Sequence, residues 1–163
     1  MAATGGIDAL DARLLRALAD TPRAGVMELA RQLKVARGTV QSRLDRLVRR
    51  GVVTGFGPEV SLPQVGYQVL AFVTLEIAQG RLADVVAHLR EIPEVLEAHT
   101  ITGPGDLLCR VAARTNAHLQ EVLSRILEVQ GIGRSTTVIA LSNQIPLRVQ
   151  PLVARAAGLE EGP

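Results

Sequence analysis

The chain has 163 residues, 47% of them hydrophobic, and a net charge of only +2. That is enough for one large domain or two small ones with a true core. Three aromatics, Phe56, Tyr67 and Phe72, are too few for a site that stacks single-stranded bases. One cysteine excludes an internal disulfide or a cysteine-based metal centre within one chain.

The charge is unevenly placed. Residues 1–60 carry ten basic and six acidic side chains, +4, and the remainder carries eight against ten, −2. A basic first third and a mildly acidic remainder point to a DNA-facing domain joined to one with other work. The N-terminus lacks a basic region followed by a long apolar run, and no 18-residue apolar stretch exists. A cytoplasmic protein without a membrane span is therefore expected.

Ile7, Leu10, Leu14 and Leu18 mark one face of a first helix, stopped at Thr21-Pro22. A second helix is predicted from about Val26 to Leu33, with Gly25 at its N-cap and Glu28 three residues on. The third is predicted from about Arg37 to Arg50. Val40, Leu44, Leu47 and Val48 share an inward arc, and Thr39, Ser42, Arg43, Arg46, Arg49 and Arg50 lie opposite. Between Arg31 and Arg50 only Asp45 opposes seven basic residues. A short helix pair with this charge has the spacing of a helix-turn-helix aimed at a phosphate backbone. Small Gly38, Thr39 and Ser42 would allow close entry into a major groove, while Arg43 and Arg46 would reach base edges or phosphates. Gly51 to Phe56 reads as a short strand and wing.

Residues 57–63 hold a glycine and two prolines and read as the inter-domain connection. Beyond it the period changes. Gln68 to Ile77 alternates as a strand that is apolar on both faces. Leu82 to Leu89 marks a helix stopped by Pro93, and Val95–Thr102 and Asp106–Ala113 are strands. Leu119, Val122, Leu123, Ile126 and Leu127 form a helical stripe. Ser135–Leu141 is a fourth strand, and Leu147–Val153 is either a fifth or a packed tail. The order β-α-β-β-α-β is that of the ferredoxin-like fold. Its helices cover one sheet face, and homodimerisation is the simple way to cover the other. Its central strands read HTIT and LLCRV, with no aromatic to stack RNA bases.

The segments LDARLLRAL, TVQSRLDRLVRRGVVTGF, IPEV, TGPGDLLCRV and GIGRSTTVIAL occur in order. With the R-x-G-x-x-ELA of Arg23–Ala30 they make the chain resemble the Lrp/AsnC (feast/famine) transcription regulators from about Ile7 to Leu152. The resemblance implies a winged helix-turn-helix domain at residues 1–56, a linker at 57–66 and a ferredoxin-like RAM domain at 67–163. It implies that double-stranded DNA is contacted by Arg37, Gly38, Thr39, Gln41, Ser42, Arg43 and Arg46, to which Arg49 and Arg50 add phosphate contacts. Gln41 lies toward the buried edge of the helix. The family's C-terminal domain dimerises and assembles further, often to octamers, around a small amino-acid effector at a Gly-x-x-Asp turn.

Here that turn is Gly103-Pro104-Gly105-Asp106, with Thr102 before it and His99 on the neighbouring strand. Backbone N–H groups of a glycine turn suit a carboxylate, and Asp106 suits an α-ammonium group. The same residues also suit a plain hairpin turn. The chain departs from the family in several places. Gly25 and Ala36 stand where serine caps helices, Lys34 stands for a helix-ending glycine, and Leu107 for an aromatic. Residues 142–146 replace an acidic-plus-lysine ending.

His88, His99 and His118 have no metal-ligand spacing. Cys109 lies in an apolar strand and reads as core. No cofactor and no catalytic set is expected. Two alternatives share the architecture: a DNA-architectural protein that needs no effector, and an enzyme resembling the tetrapyrrole decarboxylases. The second would be expected to lose the basic helix that this chain keeps.

Overall fold

The computed structural model describes residues 6–159; the outer edges of the expected domains, 1–5 and 160–163, lie outside them. The chain sorts into two compact units. One is helical and combines residues through Pro58 with those from Ile145 onward; the other is built on a sheet and runs from Glu59 to Gln144.

The helical unit begins with α1 (Ala9–Asp20), α2 (Val26–Leu33) and α3 (Arg37–Arg49). Asp8 caps α1 by accepting the Asp11 N–H at 2.9 Å, and the Asp11 carboxylate accepts the Asp8 N–H at 3.3 Å. This reciprocal capping box satisfies two end donors at once. Thr21 closes α1, its hydroxyl donating to the Ala17 carbonyl at 2.7 Å.

The limits of α2 are those the periodicity predicts, and Gly25 caps it without a side-chain bond. At its other end the Val35 N–H donates to Ala30 O and the Lys34 N–H to Arg31 O, a Schellman ending. That geometry places Lys34 at φ 56°, the only positive φ outside glycine among the described residues. A side chain there costs about 1 kcal/mol. Lys34→Gly is therefore expected to stabilise the helical unit by about 0.5–1 kcal/mol, read as a higher urea midpoint at unchanged slope.

Leu14, Leu29, Ala30, Leu33, Val40 and Leu47 form the core of this unit. Val48, expected inward, is 42% exposed. The reason is the placement of α1, which meets α3 on the Arg43 side and shifts the buried stripe away from Val48. The expected wing strand also does not form: residues 51–56 hold a turn and bends. Val52 and Val53 instead send their N–H groups to the Leu47 carbonyl and pack on the helical core.

The sheet unit runs β1 (Val69–Ile77), α4 (Leu82–Arg90), β2 (Val95–Thr100), β3 (Leu107–Ala113), α5 (Asn116–Ile126) and β4 (Ile132–Ala140). The strand order is β2-β3-β1-β4 with antiparallel neighbours, which is the ferredoxin-like arrangement. Ala71, Val73 and Leu75 alternate on one face of β1, beside Leu107, Cys109 and Val111 of β3. Val85 and Leu89 of α4 and Leu119, Val122 and Ile126 of α5 bury that face. Burial pushes the Cys109 thiol up to about 11, so it is core and not a nucleophile.

β4 starts three residues earlier than the expected Ser135, because Ile132 pairs with Ile77 across a register shift at Glu76/Ile77. Glu94, just before β2, pins α5 by accepting from Arg125 at 2.7 Å, with the His118 ring at 3.4 Å. Burial alone would raise its carboxyl, but its own backbone N–H and Arg125 outweigh that and hold it below the usual glutamate value.

The tail resolves the remaining alternative. It is a short helix, α6 (Gln150–Ala156), and not a fifth strand. It packs with α1 in the helical unit, so residues 145–159 leave the C-terminal domain that the sequence assigns them to. Gln150 donates its side-chain N–H to the Leu15 carbonyl at 3.3 Å.

Candidate DNA interface and effector turn

The centre of the helical unit is a buried carboxylate. Asp11 is 0% exposed, and an ionised group there must be paired and hydrogen-bonded to be tolerated. Both conditions are met from α3. Arg43 Nη1 lies 2.9 Å from Asp11 Oδ1 and 2.5 Å from Asp8 Oδ2. Arg46 Nη2 lies 2.8 and 2.6 Å from the two Asp11 oxygens. The Arg43 hydrogen bond, helped by the Asp11 backbone N–H, holds the Asp8 carboxyl below its ordinary value.

This corrects the expected outward reach of Arg43 and Arg46. Both guanidinium groups are committed to α1, and the Arg43 side chain is only 25% exposed. The remaining expected contacts, Arg37, Gly38, Thr39, Gln41, Ser42, Arg49 and Arg50, are all exposed. Gln41, expected near the buried edge, stands on the outer face, where its Nε2 donates to Asp45 Oδ1 at 2.9 Å. The capping aspartates were missed in the sequence, although Asp-x-x-Asp before an apolar run is a legible N-cap signal.

The candidate effector turn joins β2 to β3. Gly103 and Gly105 take φ values of 116° and 135°. Thr102, Gly103, Pro104 and Asp106 are exposed, and Gly105 is half-buried. Asp106 stitches this turn to the end of β1: its N–H donates to Leu75 O at 2.9 Å, and its Oδ2 accepts the Ile77 N–H at 2.6 Å. Ile77 sits at the register shift of β1 against β4, so the carboxylate satisfies a donor at an irregular point of the ladder. One Asp106 oxygen thus already has a structural task. His99 faces Glu97, 3.4 Å from its Oε2.

Among the described residues no group of three or more His, Cys, Asp or Glu side chains could hold a metal ion. No helix among them is long and apolar enough to cross a membrane.

Two family models match the chain: the AsnC-type helix-turn-helix domain over residues 7–48 and the Lrp/AsnC ligand binding domain over residues 70–148. The regulatory protein AsnC of Escherichia coli (strain K12) is 33% identical over 147 residues, 89% of this chain and 97% of its own length. The solved structure of E. coli AsnC has a TM-score of 0.83 at 32% identity, covering 89% of this chain and 99% of that one. The feast or famine regulatory protein of M. tuberculosis, solved in complex with L-methionine, has a TM-score of 0.76 at 30% identity, covering 85% and 95%. α6 lies beyond both matched ranges. Two domain matches in the order of the two folds, together with full-length relatives, place this chain in the Lrp/AsnC family of DNA-binding transcriptional regulators.

Proposed function

We propose that this regulator binds double-stranded DNA as a homodimer, or a higher assembly of dimers up to an octamer, and that an amino acid tunes the assembly. The carrying observation is the exposed face of α3. Small residues sit at its N-terminal end and Arg37, Arg49 and Arg50 at its margins, the layout of a helix that enters a major groove while cations grip phosphates. In this reading the protein works in the cytoplasm, needs no cofactor and catalyses no reaction.

Dimerisation is supported by the sheet face that no helix of the unit covers. Phe72 and Val138 face each other across β1 and β4 and are 39% and 60% exposed. Burying such residues against a second copy supplies the hydrophobic drive for association. The effector assignment to Thr102–Asp106 and His99 draws on the ligand-binding family domain and on the L-methionine complex of the M. tuberculosis relative. An effector acts only if it binds two assemblies with different affinity. The engagement of Asp106 Oδ2 by Ile77 favours the second reading, an architectural protein with no effector.

Salt titration tests the first part. About four phosphate contacts per head give a dimer a log–log slope near −7, and Arg49→Ala should make it shallower by about 2. Binding that ignores salt would end the DNA assignment. A melting and sedimentation screen of the twenty amino acids separates the two readings. A ligand that raises the melting temperature and changes the assembly supports the effector, and no shift from any of them supports the architectural protein.

A further inference from the structure

We propose that Asp45, coupled to Gln41 on the outward face of α3, is a base-reading residue that selects cytosine, with Gln41 reading the adjacent base. The inference rests on α3 being the helix that enters the groove. At 100° per residue Gly38, Ser42, Asp45 and Arg49 lie opposite Val40 and Leu47, with Gln41 at the edge of that stripe, and all five are exposed. The two arginines that would otherwise dominate this surface are turned aside to Asp8 and Asp11. What remains toward the middle of the stripe is a carboxylate, with a glycine, a serine and an amide on its N-terminal side and Arg49 one turn on, at the end of α3.

A carboxylate among phosphates is repelled, so its place in a groove depends on meeting a donor. In the major groove cytosine offers its N4 amine. Guanine offers N7 and O6, and thymine O4, which are acceptors that add to the repulsion. Adenine pairs its amine with the N7 acceptor, a pattern that suits an amide better than a carboxylate. Asp45 therefore discriminates for cytosine mainly by rejecting the alternatives.

Gln41 fixes the geometry. Its Nε2 spends one N–H on Asp45 Oδ1, which leaves Oδ2 for the base. The second N–H and Oε1 of Gln41 are the donor and acceptor that adenine matches. Residues one helical turn apart, about 5.4 Å, span one to two base steps of about 3.4 Å. The intramolecular bond holds both rotamers before DNA arrives and so lowers the ordering cost of the contact.

The test uses the full chain. Selection from a pool of randomised duplexes gives a preferred site, and fluorescence anisotropy at fixed salt then measures every single-base substitution in it. The wild type should lose about 10-fold or more in affinity when one particular cytosine is replaced. Asp45→Ala should erase that discrimination at that position alone and bind the substituted duplexes more tightly than the wild type does. Asp45→Asn should shift the preference there toward adenine, and Gln41→Ala should relax the neighbouring position. Both side chains are exposed, so these variants keep their fold. Identical base preferences in wild type and Asp45→Ala, with specific binding intact in both, would overturn the proposal and leave DNA binding standing. A wild type that selects no sequence would overturn it together with the sequence-specific reading on which it rests.

Discussion

Replacing Asp11 with alanine is expected to cost the helical unit about 3 kcal/mol and to weaken DNA binding, although Asp11 faces no DNA. Two ion pairs compete for this role, and their burial decides between them. The Asp8 side chain is 50% exposed, so its pairing with Arg43 is of the surface kind, worth at most about 1 kcal/mol. Asp11 is fully enclosed and receives hydrogen bonds from Arg43, Arg46 and the Asp8 N–H. Its removal deletes one half of the capping box of α1 and the tie to α3 together.

Arg46→Ala should be milder, because Arg43 still answers the buried carboxylate. It should nevertheless lower the stability of the unit, which a purely DNA-facing arginine would not do. Urea unfolding combined with hydrogen exchange in α1 and α3 reads both variants. A loss below about 1 kcal/mol for Asp11→Ala would show that the network contributes no more than a surface pair.

The second large effect belongs to the turn. A Cβ added to Gly105 would lie 2.4 Å from Thr74 Cγ2, at a backbone φ of +135°. Steric overlap and a backbone angle disfavoured for side chains act together, and Gly105→Ala is expected to destabilise the sheet unit by about 3 kcal/mol. Gly103 has a φ of +116°, but nothing lies within 4 Å of its added Cβ. Gly103→Ala therefore carries only the backbone cost, about 1 kcal/mol. Urea midpoints of the two variants should fall in that order, and the reverse order would contradict this packing of the turn on Thr74. The contrast also selects a probe for the effector. Asp106→Ala strands the Ile77 N–H, so a lost ligand response there would mix binding with unstitching. Gly103→Ala alters the exposed turn and leaves that bond in place.

Much of this was legible in the residues. Periodicity located α2 at its observed limits, and the change from a period near 3.6 to one of 2 after residue 57 separated the helices from the sheet. Direction was less legible than position. A helical wheel gives the angle of Arg43 and Arg46 but not the neighbour at that angle, and the neighbour lies 32 to 35 residues away on α1. Val52 and Val53 are β-branched and read as a strand, but they had a helical core to pack against and no strand to pair with. Leu147–Val153 is too short for its period to distinguish helix from strand. The effector turn was found as a motif, while the engagement of Asp106 depends on a β1 irregularity that no local pattern announces.

The return of the tail to α1 has a consequence for how the protein is made. The chain leaves the helical unit after Pro58 and rejoins it at Ile145, so the sheet unit is an insertion within the DNA-binding head. A ribosome adding roughly 5–20 residues per second completes α3 early and then takes on the order of 5–20 s to deliver α6. The head is thus begun before the sheet unit and finished after it, and it receives its closing helix only after every strand of the sheet has been translated. Hydrogen exchange on stalled nascent chains would show α1 gaining protection in two steps, the second arriving with α6.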